Sequence, residues 1–172
     1  MADAVALSYR NRKVVFEKCA ELVAVRARAG MAAAMQADVD SIASASRSAR
    51  RLTIGAFEVV ELRPSTAGLE QDLDRLRARP SVAAASHVFT VKGQTALMVP
   101  DGHVHLQFDR SVSAHQQRAV LTRFRLQVIE ERGGGDFLVR ITQGSKNPLV
   151  TAADLQAEPG VILAEPEFVD AD

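Results

Sequence analysis

The sequence predicts an α+β protein made of two similar units in tandem. The first observation is an internal repeat, in which the segment 158–168 returns in weaker form 79 positions earlier. Under this offset Pro80 corresponds to Pro159, and Phe89 corresponds to Phe168. The second observation is that both halves place alternating apolar runs around stretches of helical spacing. A chain of 172 residues is long enough for one large or two small domains.

The amino-acid composition limits the classes of partner that the chain is expected to bind. With 47% hydrophobic and 24% charged residues the chain has an ordinary globular composition. The 21 basic and 21 acidic side chains cancel, which disfavours nucleic acid and anionic membranes as partners. Cys19 is the single cysteine, so an intrachain disulfide and a cysteine-based metal site are excluded. The N-terminus shows no signal peptide and no apolar run approaches a membrane span, so we expect a soluble chain of unassigned compartment.

The first unit is predicted to begin after a short leading β-hairpin. The hairpin strands are Ala6–Tyr9 and Lys13–Lys18. The unit itself is predicted to begin with a strand at Leu22–Ala27 and a helix at Met31–Ser44. Strands at Arg51–Ile54 and Phe57–Leu62, a second helix and a closing strand at Val82–Val91 follow. Leu69, Leu73 and Leu76 have helical spacing and place the second helix after a Ser/Thr cap.

The second unit repeats this order with clearer signals. Its strands are predicted at Val104–Phe108, Leu126–Glu131, Phe137–Ile141 and after Gly160. Ser113 and Gln116 form a capping-box pattern ahead of an apolar helical stripe. Asn147 and Pro148 have the pattern of an N-cap and first helical residue. The three glycines 133–135 are interpreted as a hairpin turn.

Each unit therefore has the order β-α-β-β-α-β, which predicts two ferredoxin-like units with antiparallel sheets and helices on one face. The expected bounds are 1–91 for the hairpin and first unit, 92–102 for a connector, and 103–172 for the second unit with its tail. Units this small are expected to pack together or to be stabilised by a partner. Leu73, Leu76, Phe124 and Leu155 are expected to be buried.

Several runs carry a resemblance to a known family. They are Leu7–Tyr9, Lys13–Lys18, Leu22–Arg26 with Gly30, Val104–Phe108, Phe137–Ile141, Pro159–Val161 and Ala164–Phe168. Together they resemble the fervidolysin-type prodomains of subtilisin-like serine proteases. The resemblance covers nearly the whole chain. It implies a pro-region that assists folding of the protease and then inhibits it with a C-terminal tail in the substrate cleft.

The resemblance also implies which residues inhibit. The tail consists of Glu165, Pro166, Glu167, Phe168, Val169, Asp170, Ala171 and Asp172. We expect Pro166 to discourage further sheet pairing, and we expect deletion of 167–172 to leave thermal unfolding nearly unchanged. The expected partner is a subtilisin-like catalytic domain in cis or in trans. An excised pro-region and a separately encoded inhibitor both fit a sequence in which no catalytic domain follows Asp172.

The sheet face opposite the helices is a second candidate contact. Glu130, Glu131 and Asp136 flank the glycine turn, and their charges suit the positive N-termini of partner helices. A solvated hairpin tip explains them equally well.

Catalysis is not predicted. The sequence has four histidines but no nucleophile, base and acid in a recognisable arrangement, and it has no Gly-x-Ser-x-Gly motif. His103 and His105 share a strand face but lack a recognisable third metal ligand. We therefore expect no catalytic residue, metal or cofactor. The alternative function is a regulatory, ligand-binding or dimerisation module of paired units, which a ligand held between the units would favour.

Overall fold

The computed structural model describes residues 4–42, 51–62, 68–142 and 147–169. Within these segments the protein is α+β, with four helices and two antiparallel sheets of six and four strands. The prediction of an α+β chain with two sheets is confirmed. None of the helices in these segments is long and apolar enough to span a membrane.

The first sheet contains the N-terminal hairpin as well as the first unit. Its elements are β1 (Ala4–Tyr9), β2 (Arg12–Ala27), α1 (Ala32–Ile42), β3 (Arg51–Ile54), β4 (Phe57–Glu61), α2 (Leu69–Arg77), β5 (Val82–Val91) and β6 (Leu97–Met98). The strand order is β3-β4-β2-β5-β6, and β1 pairs with β2.

Two predicted boundaries in this unit are wrong. The hairpin strand and the first strand of the unit form one strand, β2, because the ladder with β5 resumes at Val23 after an irregularity that follows Lys18. The predicted connector 92–102 is partly sheet. Within it, Leu97 and Met98 pair with β5, and the next strand already begins at Pro100.

The second sheet contains four strands. Its elements are β7 (Pro100–Phe108), α3 (Ala114–Arg123), β8 (Leu126–Gly133), β9 (Asp136–Ile141), α4 (Pro148–Gln156) and β10 (Val161–Phe168). The order is β10-β7-β9-β8. The four strands of each unit can be numbered along the chain, as β2, β3, β4 and β5 in the first unit and as β7, β8, β9 and β10 in the second. In both sheets their spatial order is then fourth, first, third, second. The 79-residue offset moves α2 onto α4 residue for residue and brings the start of β5 to the start of β10.

Helices α3 and α4 begin with the predicted side-chain caps. The Ser113 hydroxyl accepts from the Gln116 amide at 3.2 Å, and the Gln116 side chain accepts from the Ser113 amide at 2.9 Å. The Asn147 side chain accepts from the Leu149 amide at 3.0 Å. At α2 the N-cap position is Gly68, without a side-chain cap. The Ser/Thr residues expected to cap this helix lie outside the described residues.

Each unit buries its own apolar cluster between helices and sheet. The first cluster includes Val23, Leu73 and Leu76, and the second includes Val104 and Leu155. Burial of Leu73, Leu76 and Leu155 is confirmed. The expectation for Phe124 is wrong, because this residue is the C-cap of α3 and its ring is only partly buried at the margin of the second cluster.

A third cluster joins the two units. Leu7, Phe16 and Phe89 of the first sheet bury apolar surface together with Leu149 of α4, and Phe168 packs against them. Gln156 at the end of α4 strengthens this contact, because its side chain accepts from the Ser8 amide and donates to the Ser8 carbonyl, both at 2.8 Å. We call this group the inter-unit cluster. The expectation that the units pack together is confirmed.

The turn before β10 depends on a glycine. Gly160 has φ of +83°, and a Cβ built there would overlap the Val112 side chain. Its carbonyl accepts from the Asp109 amide at 2.7 Å. The turn is thus pressed against the loop that follows β7, which holds the start of β10 in register.

Alanine substitutions of Leu73 and Phe124, which differ in burial, test the assignment of the core residues. Leu73→Ala is expected to lower the free energy of unfolding by about 2–5 kcal/mol, because the lost side chain is fully buried. Phe124→Ala is expected to cost only about 1–2 kcal/mol, because part of its ring is already solvated. Urea denaturation of the two variants measures both values, and a larger loss for Phe124→Ala would contradict the assignment.

Gly160→Ala and Gly134→Ala form a matched pair. Both glycines have positive φ, at +83° and +65°, so alanine is strained by about 1–2 kcal/mol at each position. Only at Gly160 does the new methyl group also meet Val112. We expect Gly160→Ala to be less stable than Gly134→Ala by at least about 1 kcal/mol in urea denaturation. Equal losses of unfolding free energy would show that the loop containing Val112 moves aside without destabilising the fold.

Candidate functional site

Half of the predicted protease-cleft tail belongs to the second sheet. Glu165, Pro166, Glu167 and Phe168 are the last four residues of β10, which is an edge strand paired with β7. Pro166 lies opposite Val104 and is buried. The expectation that Pro166 ends sheet pairing is therefore wrong. Proline is compatible with this position because an edge strand has one side without a strand partner.

The end of β10 is also part of the inter-unit cluster. The Phe168 ring stacks on Phe16 at 5.3 Å between centroids, and it meets Tyr9 edge to face at 5.4 Å. The Val169 amide donates to the Val99 carbonyl at 2.8 Å. The premise that the tail makes few core contacts is therefore wrong for Phe168, and deletion of 167–172 is instead expected to lower the stability of the fold. Asp170, Ala171 and Asp172 lie outside the described residues.

The second sheet leaves one face without helices. In β7 the buried Val104, Leu106 and Phe108 alternate with less buried neighbours, so the chain confirms the predicted half-buried strand. His103 and His105 point to the side away from α3 and α4. We call this side the open face.

The predicted docking acids divide between the two sides of the sheet. Glu130 lies opposite Leu138, which itself lies opposite His105, so Glu130 is on the open face. Asp136 is on the same face, and its carboxylate lies 2.7 Å from Nε2 of His105. Glu131 lies opposite the buried Phe137 and is therefore on the helix side. The structure brings two of the three predicted acids together.

A group with metal-ligand chemistry stands at one end of the open face. Ligand atoms of Asp101, His103 and Glu167 lie within 4.8 Å of one another. Glu167 is the third ligand that sequence spacing could not supply, because it comes from the neighbouring strand β10. Asp101 already bonds Nδ1 of His103 at 3.0 Å, and an Arg140 nitrogen lies 3.4 Å from Nε2. The adjacent guanidinium opposes a cation at this position, and the prediction of no metal stays a prediction.

A cleft of about 480 Å³ lies between the two units. Its first wall is formed by the end of β2 and the start of β5, and its second by the start of β7 and the end of β9. Arg26, Arg28 and Arg77 line it from the first unit, and Arg140 lines it from the second. Sequence analysis missed this feature, because the four arginines are spread over 115 positions and only the packing of the units brings them to one cavity.

A buried titratable group lies on the other side of β5. His87 is 1% exposed, and its Nε2 lies 3.0 Å from a Glu70 carboxylate oxygen. That oxygen is not aligned for a hydrogen bond, so neither ring nitrogen has a hydrogen-bond partner within the described part of the chain. Burial lowers the pKa of His87 below its ordinary value, Glu70 opposes this shift, and Lys18 and Arg77 add to it.

Comparisons with protein-family models, with curated proteins and with solved structures find no match to this chain. The resemblance to subtilisin-like prodomains therefore stays a prediction, and the function is argued from the residues themselves.

The lowered pKa of His87 predicts acid destabilisation. In the unfolded chain His87 binds a proton near pH 6.5, whereas in the folded chain it binds one only at lower pH. The contribution of neutral His87 to stability is therefore complete above pH 6.5 and is lost as the pH falls. Between pH 7.5 and 5.5, we expect the native chain to lose about 1 kcal/mol more than His87→Leu in urea denaturation. His115→Gln, at an exposed helical position, serves as the control and should match the native chain. An equal pH dependence in His87→Leu would refute the assignment.

Proposed function

We propose that this chain is a pro-region of a subtilisin-like serine protease, acting as a folding chaperone and as an inhibitor. The observation that carries the proposal is the arrangement at the end of the second unit. The edge strand β10 runs along a sheet that has helices on one side only, and it is the last strand of the described chain. A single partner can thus contact the face and receive the outgoing segment.

We propose a ferredoxin-like assignment for both units. The order fourth, first, third, second, with antiparallel neighbours and a helix after the first and third strands, supports it. In the first unit the open side of the sheet is partly covered, because Val88 and Phe57 pack with Val99 and Val169. The second unit is therefore the one whose open face remains accessible for docking.

The segment beyond Val169 is proposed to inhibit. An extended peptide can add a strand in a protease groove, where main-chain hydrogen bonds give affinity and alternate side chains fill pockets. Residues 170–172 reach about 10 Å when extended, at roughly 3.3 Å per residue. Glu165–Phe168 are fixed in β10 and orient this segment rather than enter the groove.

The open face is proposed to dock. Glu130 and Asp136 present carboxylates on it, which suit the positive N-termini of partner helices. Glu130 is exposed and also pairs with Arg132 at 3.1 Å. Because exposed charges act mainly on association, this contact is expected to govern the rate of binding more than its lifetime.

Deletion of 170–172 tests the inhibitory segment. The deletion spares Phe168 and Val169, so the melting temperature should stay within about 2 °C of the native chain. Inhibition of purified subtilisin-like catalytic domains should weaken at least tenfold, mainly through faster dissociation. Progress curves of peptide hydrolysis measure both constants. Unchanged inhibition would reject the cleft-binding segment, and no inhibition by the native chain across a panel of such proteases would reject the proposed function.

Glu130→Gln and Glu131→Gln test the docking face. These neighbours are both exposed and remove the same charge, but only Glu130 lies on the open face. We expect Glu130→Gln to slow association with the protease severalfold at low salt, and Glu131→Gln to have little effect. Equal effects of the two variants would show that net charge, rather than the open face, steers the encounter.

A second candidate function has one specific observation in its favour. The cleft lies between the units, which is where a ligand-binding module of paired units would hold its ligand.

A further inference from the structure

The cleft between the units has a local excess of positive charge, although the whole chain has no net charge. Basic and acidic side chains number 21 each over the whole sequence. Around the cleft, however, stand the four arginines 26, 28, 77 and 140, whereas Asp101 is the only carboxylate among its lining residues. This local excess is a feature of the folded chain, because the two units contribute to it from separate elements.

Among the described residues, three of these guanidinium groups have no carboxylate partner. Arg77 pairs with Asp74 at 3.0 Å, and Asp101 is engaged with His103. Within the described residues, no carboxylate oxygen lies within 4.0 Å of a guanidinium nitrogen of Arg26, Arg28 or Arg140. Unpaired guanidinium groups around one cavity favour an anion there.

Their contacts orient the arginines and leave donors available. Nε of Arg28 donates to the Val82 carbonyl at 3.3 Å, which leaves both terminal nitrogens for another acceptor. The Arg26 guanidinium carbon lies over the Phe57 ring, 5.2 Å from its centre, and a cation–π contact of this kind does not require an N–H donor. Arg140 reaches the cleft from β9 with one nitrogen near His103. An oxyanion can therefore accept from each of them in a fork geometry.

The remaining walls and the size of the cleft limit the ligand. Phe57, Val82, Pro100 and Ile141 add apolar surface between the charged groups. A cavity of about 480 Å³ is within the range of small-molecule sites, and it is too small for a folded partner. Because the unpaired arginines come from both walls, one ligand that satisfies them needs more than one oxyanion group.

We propose that the cleft binds a small polyanion, a molecule that carries two or more phosphate or carboxylate groups and bridges the two units. Such a ligand would bind the folded chain alone and would therefore also raise its melting temperature. Binding of such a ligand goes beyond the proposed protease inhibition.

Calorimetric titration of the full chain with pyrophosphate and with citrate tests the proposal at low ionic strength. We expect saturable binding at one site per chain for at least one of the two probes, and the better probe identifies the oxyanion class. Arg26→Gln and Arg140→Gln, one from each unit, should each weaken binding at least tenfold, because each removes a bidentate charged contact. Arg118→Gln removes the same charge from an exposed position on α3 and should change the affinity less than twofold.

Two outcomes would overturn the proposal. One is the absence of saturable binding for both probes. The other is an equal loss in Arg118→Gln, which would reveal diffuse attraction to basic side chains. Melting curves of the variants without ligand show whether each is folded, and Arg28→Gln replaces either cleft variant that is not. Protease inhibition by Arg26→Gln without polyanion should equal that of the native chain, so failure of one proposal does not decide the other.

Discussion

The contact between Phe16 and Phe168 is the interaction on which the arrangement of the two units depends. Each unit is small, and small units bury too little apolar surface to be stable alone. β2 is long enough to serve the first core at Val23 and Val25 and the inter-unit cluster at Phe16. The ring of Phe168 meets it from the opposite end of the chain. The cleft lies between the units that this contact joins.

The edge strand β10 ends at this contact, immediately before the segment that we propose to be inhibitory. A free edge invites pairing with other chains. Here the N-terminal hairpin and α4 cover part of it, because the Arg10 amide donates to Glu165 at 2.8 Å and Gln156 donates to the Ala164 carbonyl at 2.7 Å. Pro166 removes one donor. These contacts make β10 part of the folded structure, so the inhibitory role that we propose falls on the residues after Val169.

Sequence patterns predicted what depends on local chemistry. The capping residues Ser113 and Asn147 and the burial of Leu73 follow from spacing within one helix, and the 79-residue offset predicted α4 from α2. They could not predict what depends on distant partners. The continuity of β2 needs its ladder to β5, and the place of Glu167 beside Asp101 needs the register of β10 on β7. The cleft was unpredictable for the same reason, because its arginines are neighbours only in the assembled pair.

The two proposed binding surfaces meet at one cluster. Asp101, His103 and Arg140 line the cleft, and the histidine and arginine also belong to the end of the open face. The Arg140 nitrogen that lies 3.4 Å from His103 is a donor that a polyanion in the cleft would attract. Occupation of the cleft would then change the charge presented at that end of the face. Because coupling between two binding equilibria is reciprocal, a partner docked there would change the affinity of the cleft by the same factor. Glu130 lies beyond this cluster, across from Leu138, so its effect on docking should be independent of the polyanion.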